Sequence, residues 1–494
     1  MTDDGLLIAM LGLPLVAAAV SALVRSDRAR YALVIPTCVA MFGLALALIA
    51  RMLGHGPIRA FDDWLYLDDL GAVVLLVVMF VSTAAGAYSI AYFRSPAQGH
   101  VLRAGELRKY FLLFYLFVFT MALATVSGNL ALLWTAVTAT TFAAAPLVDF
   151  YGSRDPLEAA WKFLILAVAG ELIALLGFLL LYASGIAALG SAYNFTVPVL
   201  HAAGPQLSSS LAALGFLLVL VGFGTKAGLA PMHTWLPDAH SQAPAPVCSM
   251  LSGAELSCAM LAILRVLALV TPAVGGEAGG LRSALLAFGL LSMTVGVVFL
   301  VSQQNFKRLL AYSSVEQMGL IAVGIGLGVP VAVFGALLQM LAHSLAKCLM
   351  FFNTGNLLLR FRTTTISEVR GVVRVAPATA VLVLAGALAI AGAPPFGLFI
   401  SEFSIVRGAL GAKAWGAGGL IVVLLLVGFI ALLAPFSRMT FGDADGSQLQ
   451  TRADLGFALL VPGYVLLAGV LILGVWIPGP LHSLLEGATK EVLR

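Results

Sequence analysis

Nine ionisable residues lie inside long apolar stretches of this sequence, and these are the residues whose types could do chemistry. They are Lys162, Glu171, Lys226, Glu255, Arg265, Glu316, His343, Lys347 and Glu402. A charged side chain at the centre of a lipid bilayer costs about 2.5–3.5 kcal/mol on insertion scales, so each one needs a reason to be there. Acids, bases and a histidine spread over many stretches suit a chain of proton carriers better than a single ligand pocket.

Some of these charges could instead lie at helix ends, with the charged group extended to the lipid headgroups. Lys162 and Arg265 lie near the ends of their apolar stretches, so both interpretations stay open for these two residues. Lys226, Lys347 and Glu402 lie further inside, and this position favours a role in proton transfer.

Two apolar stretches contain helix-breaking residues beside a buried charge. In the first, GFGTKAGLAPMHTWLPDAHSQAPAPV (222–247), glycine and proline flank Lys226. In the second, AGAPPFGLFISEF (391–403), two prolines precede Glu402. Proline inside a helix removes a hydrogen bond, and at membrane depth the freed carbonyl groups are tolerated only beside protein or water. The two breaks predict two discontinuous helices in inverted repeats around an ion site at the midplane.

Membrane helices must position these residues, because the composition leaves lipid as the only suitable solvent. Of the 494 residues, 61% are hydrophobic and 10% are charged, against about 45–50% and 25% in soluble domains. Apolar stretches long enough to span a bilayer recur about fourteen times. They lie near 5–24, 31–53, 71–93, 110–127, 130–150, 160–183, 211–231, 244–270, 281–301, 309–329, 331–358, 376–400, 417–437 and 456–477. The predicted fold is an all-α polytopic membrane protein.

The basic residues predict the orientation of these spans. Sixteen of the 27 Lys and Arg residues fall in the odd-numbered connections, and seven fall in the even-numbered connections and the C-terminal segment. The positive-inside rule then places the odd-numbered connections in the cytoplasm and both termini on the outer face. The net charge of +4 therefore reflects the loops and gives no sign of a nucleic-acid partner.

The cysteines predict neither a disulfide framework nor a metal centre, because they lie in apolar stretches without CxxC spacing. They are Cys38, Cys248, Cys258 and Cys348. The sequence also has no Rossmann glycine pattern after a strand and no haem motif. We therefore expect no cofactor and no metal ion in this chain, and any electron transfer is expected in partner subunits.

Five sequence strings surround the buried charges. They are TKAGLAPMHTWLPDAHSQAPAPV (225–247), LSGAELSCAMLAILR (251–265), NFKRLLAYSSVEQMG (305–319), HSLAKCLMFFNTG (343–355) and PPFGLFISEF (394–403). In these strings the chain resembles the antiporter-like, proton-conducting membrane subunits of respiratory complex I, of multisubunit sodium/proton antiporters and of group 4 hydrogenases. The phrases PDAHSQAPAPV, SSVEQMG and PPFGLFISEF are most similar to component F of hydrogenase-4.

The resemblance implies a proton path of two linked half-channels, each built from an inverted five-helix repeat. The repeats would occupy 110–270 and 271–437, after a three-helix segment at 1–109 and before a C-terminal transmembrane segment at 438–494. The matching path residues are Lys226, His343, Lys347, Glu402, His233 and His240. For the last two, capping of a polar turn is an equally good interpretation. Asp238 is expected to brace that turn, and Lys307 and Arg308 are expected to be cytoplasmic anchors.

One position departs from the family pattern. Most members carry a glutamate on the fifth helix as the partner of the broken-helix lysine, and Thr138 stands in its place here. Threonine carries no negative charge, so Lys226 would lose the group that stabilises its ammonium. Ser257 likewise replaces a lysine of the complex I relatives. We hypothesise that Glu171 or Glu255 supplies the missing carboxylate; an inactive first half-channel is the alternative.

The resemblance implies a proton-translocating membrane subunit of a redox-driven complex, similar to hydrogenase-4, formate hydrogenlyase or complex I. Such a subunit would lie in the cytoplasmic (inner) membrane of a prokaryote, with other membrane subunits and a peripheral hydrogenase or dehydrogenase module as partners. Two alternatives stay open: a subunit of a multisubunit cation/proton antiporter, and a membrane scaffold without transport activity. A related possibility is a subunit that drives vectorial uptake chemistry in a partner protein.

Overall fold

The computed structural model of the chain describes residues 2–97, 100, 102–103, 105–275, 278–443 and 454–494, and these are almost entirely helical. In chain order the helices are α1 (Asp3–Leu23), α2 (Asp27–His55), α3 (Asp69–Arg94), α4 (Glu106–Val126), α5 (Leu130–Val148), α6 (Arg154–Leu189), α7 (Val197–Ala202), α8 (Ser209–Lys226), α9 (Trp235–Gln242), α10 (Ala245–Met250), α11 (Leu256–Val274), α12 (Ala278–Val301), α13 (Phe306–Gly326), α14 (Pro330–Phe361), α15 (Val372–Val375), α16 (Pro377–Ile390), α17 (Gly397–Gly411), α18 (Trp415–Phe441), α19 (Phe457–Val475) and α20 (Gly479–Leu493). A π-helical stretch, Leu251–Glu255, joins α10 to α11.

The predicted membrane spans correspond to helices of the structure. Within the described residues, thirteen helices are long and apolar enough to cross a membrane, with α10, the π-helical stretch and α11 forming one of them. The remaining predicted span, near 376–400, consists of the two shorter helices α16 and α17. The prediction of a polytopic helical membrane protein is therefore confirmed.

Several short elements of the structure were absent from the sequence prediction, and two of them mark one end of the helix bundle. A short antiparallel hairpin of β1 (Ile58–Ala60) and β2 (Leu65–Leu67) connects α2 to α3, with Ile58 paired to Leu67. The other is α20, which follows the last membrane-length helix. We call the end of the helix bundle that carries the hairpin the hairpin end, and the opposite end the basic end.

Both predicted helix breaks are present. The helix α8 ends at Lys226 and α9 begins at Trp235, while residues 391–396 separate α16 from α17. Gly228 and Gly392 lie in the two breaks with φ of 76° and 79°, values that glycine adopts without steric cost. Lys226 is the last residue of α8, and the C-terminus of a helix is a position where a cation is favoured.

Side-chain caps fix the starts of the helices that surround the breaks. The Asn129 side chain accepts hydrogen bonds from the N–H groups of Ala131 and Leu132 in the first turn of α5. The Asn305 side chain does the same for Lys307 and Arg308 in α13. Such caps satisfy N–H groups that have no partner within the helix, so the register of the polar residues further along both helices is set at their first turns.

Glycine allows α6 and α8 to approach each other closely. A methyl group at Gly170 would lie 2.7 Å from the carbonyl oxygen of Gly222, and one at Gly222 would lie 2.5 Å from that of Gly170. Small residues permit such backbone contact between membrane helices. Glu171 directly follows Gly170, so this contact brings the Glu171 backbone against the last turns of α8, which end at Lys226.

A buried ion pair stabilises the hairpin end. The Arg265 guanidinium donates to both carboxylate oxygens of Asp68, at 2.6 and 2.9 Å, and its side chain is only 2% exposed. The sequence left open whether Arg265 reaches the lipid headgroups, and the structure shows that it is paired inside the protein.

The Glu491 carboxylate of α20 accepts from the N–H groups of Asp69 and Leu70 at 3.3 and 3.0 Å. Burial, with the Asp68 carboxylate close by, raises the pKa of Glu491.

Replacing Arg265 should destabilise the protein far more than replacing an exposed arginine at the same end. Arg265→Ala leaves the Asp68 carboxylate buried without its partner, a change that typically costs about 3–5 kcal/mol. Arg59→Ala is the matched control, because its pair with Asp63 spans 3.6 Å with Arg59 57% exposed, and such pairs contribute about 0–1 kcal/mol. Thermal unfolding of the detergent-solubilised protein measures both. Equal losses of melting temperature would contradict a stabilising role for the buried pair.

Candidate functional site

The ammonium group of Lys226 lies between two buried carboxylates. Its Nζ is 2.9 Å from Glu255 Oε1 and 3.2 Å from Glu171 Oε1. The side chains of all three residues are at most 1% exposed. Glu171 comes from α6, and Glu255 ends the π-helical stretch, a type of helix distortion that is frequent at functional sites. Both carboxylates that we hypothesised as partners of Lys226 therefore contact its ammonium group.

Two threonines of α5 complete this arrangement. The Thr141 hydroxyl donates to Glu171 Oε1 at 2.5 Å and accepts from the Lys226 ammonium. The Thr140 hydroxyl donates to Glu255 Oε1 at 3.0 Å. We call Lys226, Glu171, Glu255, Thr140 and Thr141 the first cluster. In the described part of the chain, the buried hydroxyl oxygen of Thr138 has no hydrogen-bond partner. The fifth membrane helix therefore contributes Thr140 and Thr141, and not Thr138, to the first cluster.

The Lys347 ammonium, on α14, is bound by neutral groups. It donates to the carbonyl oxygen of Leu310 at 2.5 Å and to the hydroxyl of Ser313. Its side chain is fully buried, and no carboxylate of the described residues lies within 4.0 Å of it. Both partners belong to α13, so this helix holds Lys347 in place.

Glu402 lies in a network of amide and hydroxyl groups. The Gln317 side-chain amide donates to Glu402 Oε1 at 3.4 Å. Gln339 donates to Gln317, and the Ser401 hydroxyl donates to Gln339. These three hydrogen-bonded side chains connect α13, α14 and α17 around the carboxylate.

Glu316 is a further buried carboxylate beside these groups, and the sequence analysis did not include it in the predicted path. Its charge interacts with those of Lys347 and Glu402, and Glu316 Oε2 has no hydrogen-bond partner within the described ranges. Glycines make room for both acids: a methyl group at Gly428 would overlap the Glu316 carboxylate, and one at Gly392 would overlap that of Glu402. The string SSVEQMG, which contains Glu316, was the signal that could have identified it. We call Lys347, Ser313, Glu316, Gln317 and Glu402 the second cluster.

One hydrogen bond between serines connects the helices of the two clusters. Ser252 Oγ and Ser314 Oγ are 2.8 Å apart, and both are buried. Ser252 lies three residues before Glu255 in the π-helical stretch, and Ser314 follows Ser313 on α13. Hydroxyl groups both donate and accept hydrogen bonds, so this pair is a polar contact between the helices that carry the two clusters.

The three predicted histidines occupy different surroundings. His343 is fully buried, one turn before Lys347 on α14, and neither of its ring nitrogens has a hydrogen-bond partner in the described structure. The ring of His240 lies 5.3 Å from that of Phe351, which is one turn after Lys347. His233 lies apart, with its ring beside two aromatic rings. His343 and His240 thus lie one turn to either side of Lys347 along α14, His343 on the helix itself and His240 against Phe351, while His233 belongs to the polar turn.

An ion-pair network braces the basic end. Asp238 contacts Lys162 at 3.1 Å and Arg308 at 2.6 Å, so the predicted bracing role of Asp238 is present in the structure. Lys162 lies at the protein surface with its side chain 49% exposed, about two turns into α6. Lys307, which the sequence predicts as a cytoplasmic anchor, is buried, and its ammonium donates to the Ala243 carbonyl oxygen at 2.6 Å. The Cys248 thiol contacts the same carbonyl oxygen at 3.2 Å.

Comparison with known sequences and structures shows which proteins share this organisation. A family model described as NADH:quinone oxidoreductase/Mrp antiporter, TM matches residues 127–433, which is more than half of the chain. The chain belongs to this family. The antiporter-like resemblance predicted from the five strings is therefore confirmed, and the matched region contains both clusters.

Individual members of the antiporter-like family match over most of their length. A hydrogenase-4 component F homolog of Methylacidiphilum infernorum is 34% identical over 419 residues, covering 83% of this chain and 85% of that protein. An NADH-quinone oxidoreductase subunit N of Desulforudis audaxviator is 31% identical over 426 residues, covering 83% and 82%. A chain of the Mrp complex from Dietzia sp. shares the fold, with a TM-score of 0.86, 20% identity and coverage of 100% and 98%. A chain of complex I from Thermus thermophilus gives a TM-score of 0.81 at 24% identity, covering 99% and 100%.

The glycine beside Glu316 provides a test of this geometry in the antiporter-like fold. Gly428→Ala should destabilise the protein by about 1–3 kcal/mol, because the added methyl group overpacks the space that the Glu316 carboxylate fills. Gly419→Ala on the same helix is the control, since a methyl group there meets nothing within 4 Å. Thermal melting in detergent compares them. If both variants melt at the same temperature, Glu316 does not occupy the space beside Gly428.

Proposed function

We propose that this chain is a proton-translocating membrane subunit of a redox-driven complex in the cytoplasmic (inner) membrane of a prokaryote. The observation that carries the proposal is the presence of two buried clusters of ionisable and hydroxyl groups, one around Lys226 and one around Lys347 and Glu402, on helices that the hydrogen bond between Ser252 and Ser314 joins. Relatives named hydrogenase-4 component F and NADH-quinone oxidoreductase subunit N support the assignment to a redox-driven complex.

In this proposal the protonatable groups act in sequence. Lys226 exchanges protons with Glu171 and Glu255, and the serine pair connects this cluster to Lys347. From Lys347 the proton moves past Glu316 to Glu402. Ser313 contacts Lys347 and Gln317 contacts Glu402, and these two residues lie only about 6 Å apart along the axis of α13. His343 and His240 flank Lys347, and His233 would serve near the basic end. The proposed half-channels correspond to residues 110–270 and 271–437.

The proposed partners are other membrane subunits and a peripheral redox module of the hydrogenase or dehydrogenase type. The basic end would face the cytoplasm and both termini the outer side, as the positive-inside rule predicts. Purification of the intact complex from its native membrane, followed by identification of the co-purifying subunits, tests this assignment. Copurification of a nickel–iron hydrogenase or a dehydrogenase supports it, whereas a set of membrane subunits without a redox protein contradicts it.

A cation/proton antiporter subunit is the second candidate, because three oxygens surround the Lys226 ammonium position. They come from Glu171, Glu255 and Thr141, and oxygen ligands are those that hard cations prefer. Proton translocation that requires Na⁺ would favour this function. A transport-inactive scaffold has less support, because Lys226 keeps carboxylate partners despite Thr138.

Removing either principal ionisable group should abolish proton translocation. Lys226→Met deletes the ammonium of the first cluster, and Glu402→Gln removes the last carboxylate of the row while keeping its shape. Lys109→Met is the matched control, because Lys109 is exposed at the start of α4. The measurement is proton uptake into vesicles by the reconstituted complex driven by its own redox reaction. Unchanged uptake in both cluster variants would contradict a proton path through this subunit.

A further inference from the structure

The first cluster contains more negative than positive groups. Two carboxylates, Glu171 and Glu255, face the single ammonium of Lys226. In the described structure, no second lysine or arginine forms an ion pair with either acid. If all three groups were ionised, the cluster would carry a net charge of −1 while completely buried. A buried charge without compensation is strongly unfavourable, so the cluster needs one further positive charge.

The hydrogen bonds indicate where that positive charge would be bound. Glu171 Oε1 accepts from Lys226 and from Thr141, and Glu255 Oε1 interacts with Lys226 and accepts from Thr140. Each Oε1 therefore already has two donors. Within the described residues, the Oε2 atoms of both acids are buried and have no hydrogen-bond partner. The two Oε2 atoms are thus the free basic positions of the cluster.

We propose that Glu171 and Glu255 share one exchangeable proton on their Oε2 atoms, in addition to the protons of the Lys226 ammonium. Two carboxylates in one buried site do not both ionise readily, so one of the two holds a proton. The resting cluster is then neutral and has two protons to exchange, one on the carboxyl pair and one on the lysine. The role of the shared proton in transport rests on the proposed function, but its presence in the resting protein does not.

The exchange step requires only proton transfer. Release toward the serine pair breaks the O–H bond of the shared proton and leaves the cluster with one negative charge. An incoming proton restores the O–H bond and neutrality, and no group is oxidised or reduced. The Lys226 ammonium can remain between the carboxylates during this exchange, because the Oε2 atoms that carry the shared proton are not bonded to it.

Infrared spectroscopy of the purified complex tests for the shared proton through the carbonyl stretch of protonated carboxyl groups. Difference spectra against the unaltered protein cancel the contribution of Glu316 and Glu402. Glu171→Gln and Glu255→Gln should each eliminate the whole signal of the pair, because one remaining carboxylate is neutralised by Lys226. Lys226→Met should raise that signal about twofold, since both acids then lack a cation and take up a proton. Glu158→Gln, at an exposed acid, is the control and should change nothing.

Two results would overturn the proposal. Spectra in which neither glutamine variant loses acid carbonyl signal would show that both carboxylates are ionised. A signal that appears only when Na⁺ and Li⁺ are removed would show that an alkali cation balances the cluster. Thermal melting of each variant confirms that it is folded. The spectra are recorded on the resting protein. If the predicted signal is present in a complex that moves no protons, the proposed function is contradicted but the shared proton is not.

Discussion

An ammonium group buried among apolar helices is stable only beside compensating negative charge, and the arrangement around Lys226 follows from this requirement. The contact between Gly170 and Gly222 places Glu171 against the end of α8, and the π-helical stretch ends at Glu255. The break after Lys226 leaves backbone carbonyl groups at the helix end, and these favour the positive charge of the ammonium. The glycine contact, the π-helical stretch and the end of α8 thus all stabilise the buried ammonium group.

The two clusters hold their lysines differently. Lys226 contacts two carboxylates, whereas Lys347 donates to a backbone carbonyl oxygen and to the Ser313 hydroxyl. The acids of the second cluster, Glu316 and Glu402, occupy spaces left by glycines, and among the described residues neither has a cationic group within 4.0 Å. The proposed proton path uses the donors and acceptors that each cluster offers, with the serine pair as the contact between their helices.

Much of the fold was predictable because it depends on local properties of the sequence. The length of the apolar stretches determined the spans, and proline and glycine beside Lys226 and Glu402 indicated the breaks. The pairing of Arg265 with Asp68 joins residues far apart in the chain, and helical periodicity contains no information about such a contact. The burial of Lys307 and the docking of α20 depend on tertiary packing for the same reason. Glu316 was visible as a buried acid, but its place beside Lys347 and Glu402 required the structure.

The central claim is that Glu171 and Glu255 together replace the carboxylate that most of the family carries at the position of Thr138. The most direct measurement is proton translocation by reconstituted complexes containing Glu171→Gln with Glu255→Gln, with and without Thr138→Glu. We expect the double variant to lose translocation and Thr138→Glu to restore part of it by returning a carboxylate to α5. Translocation at the unaltered rate in the double variant would show that Glu171 and Glu255 do not take this role.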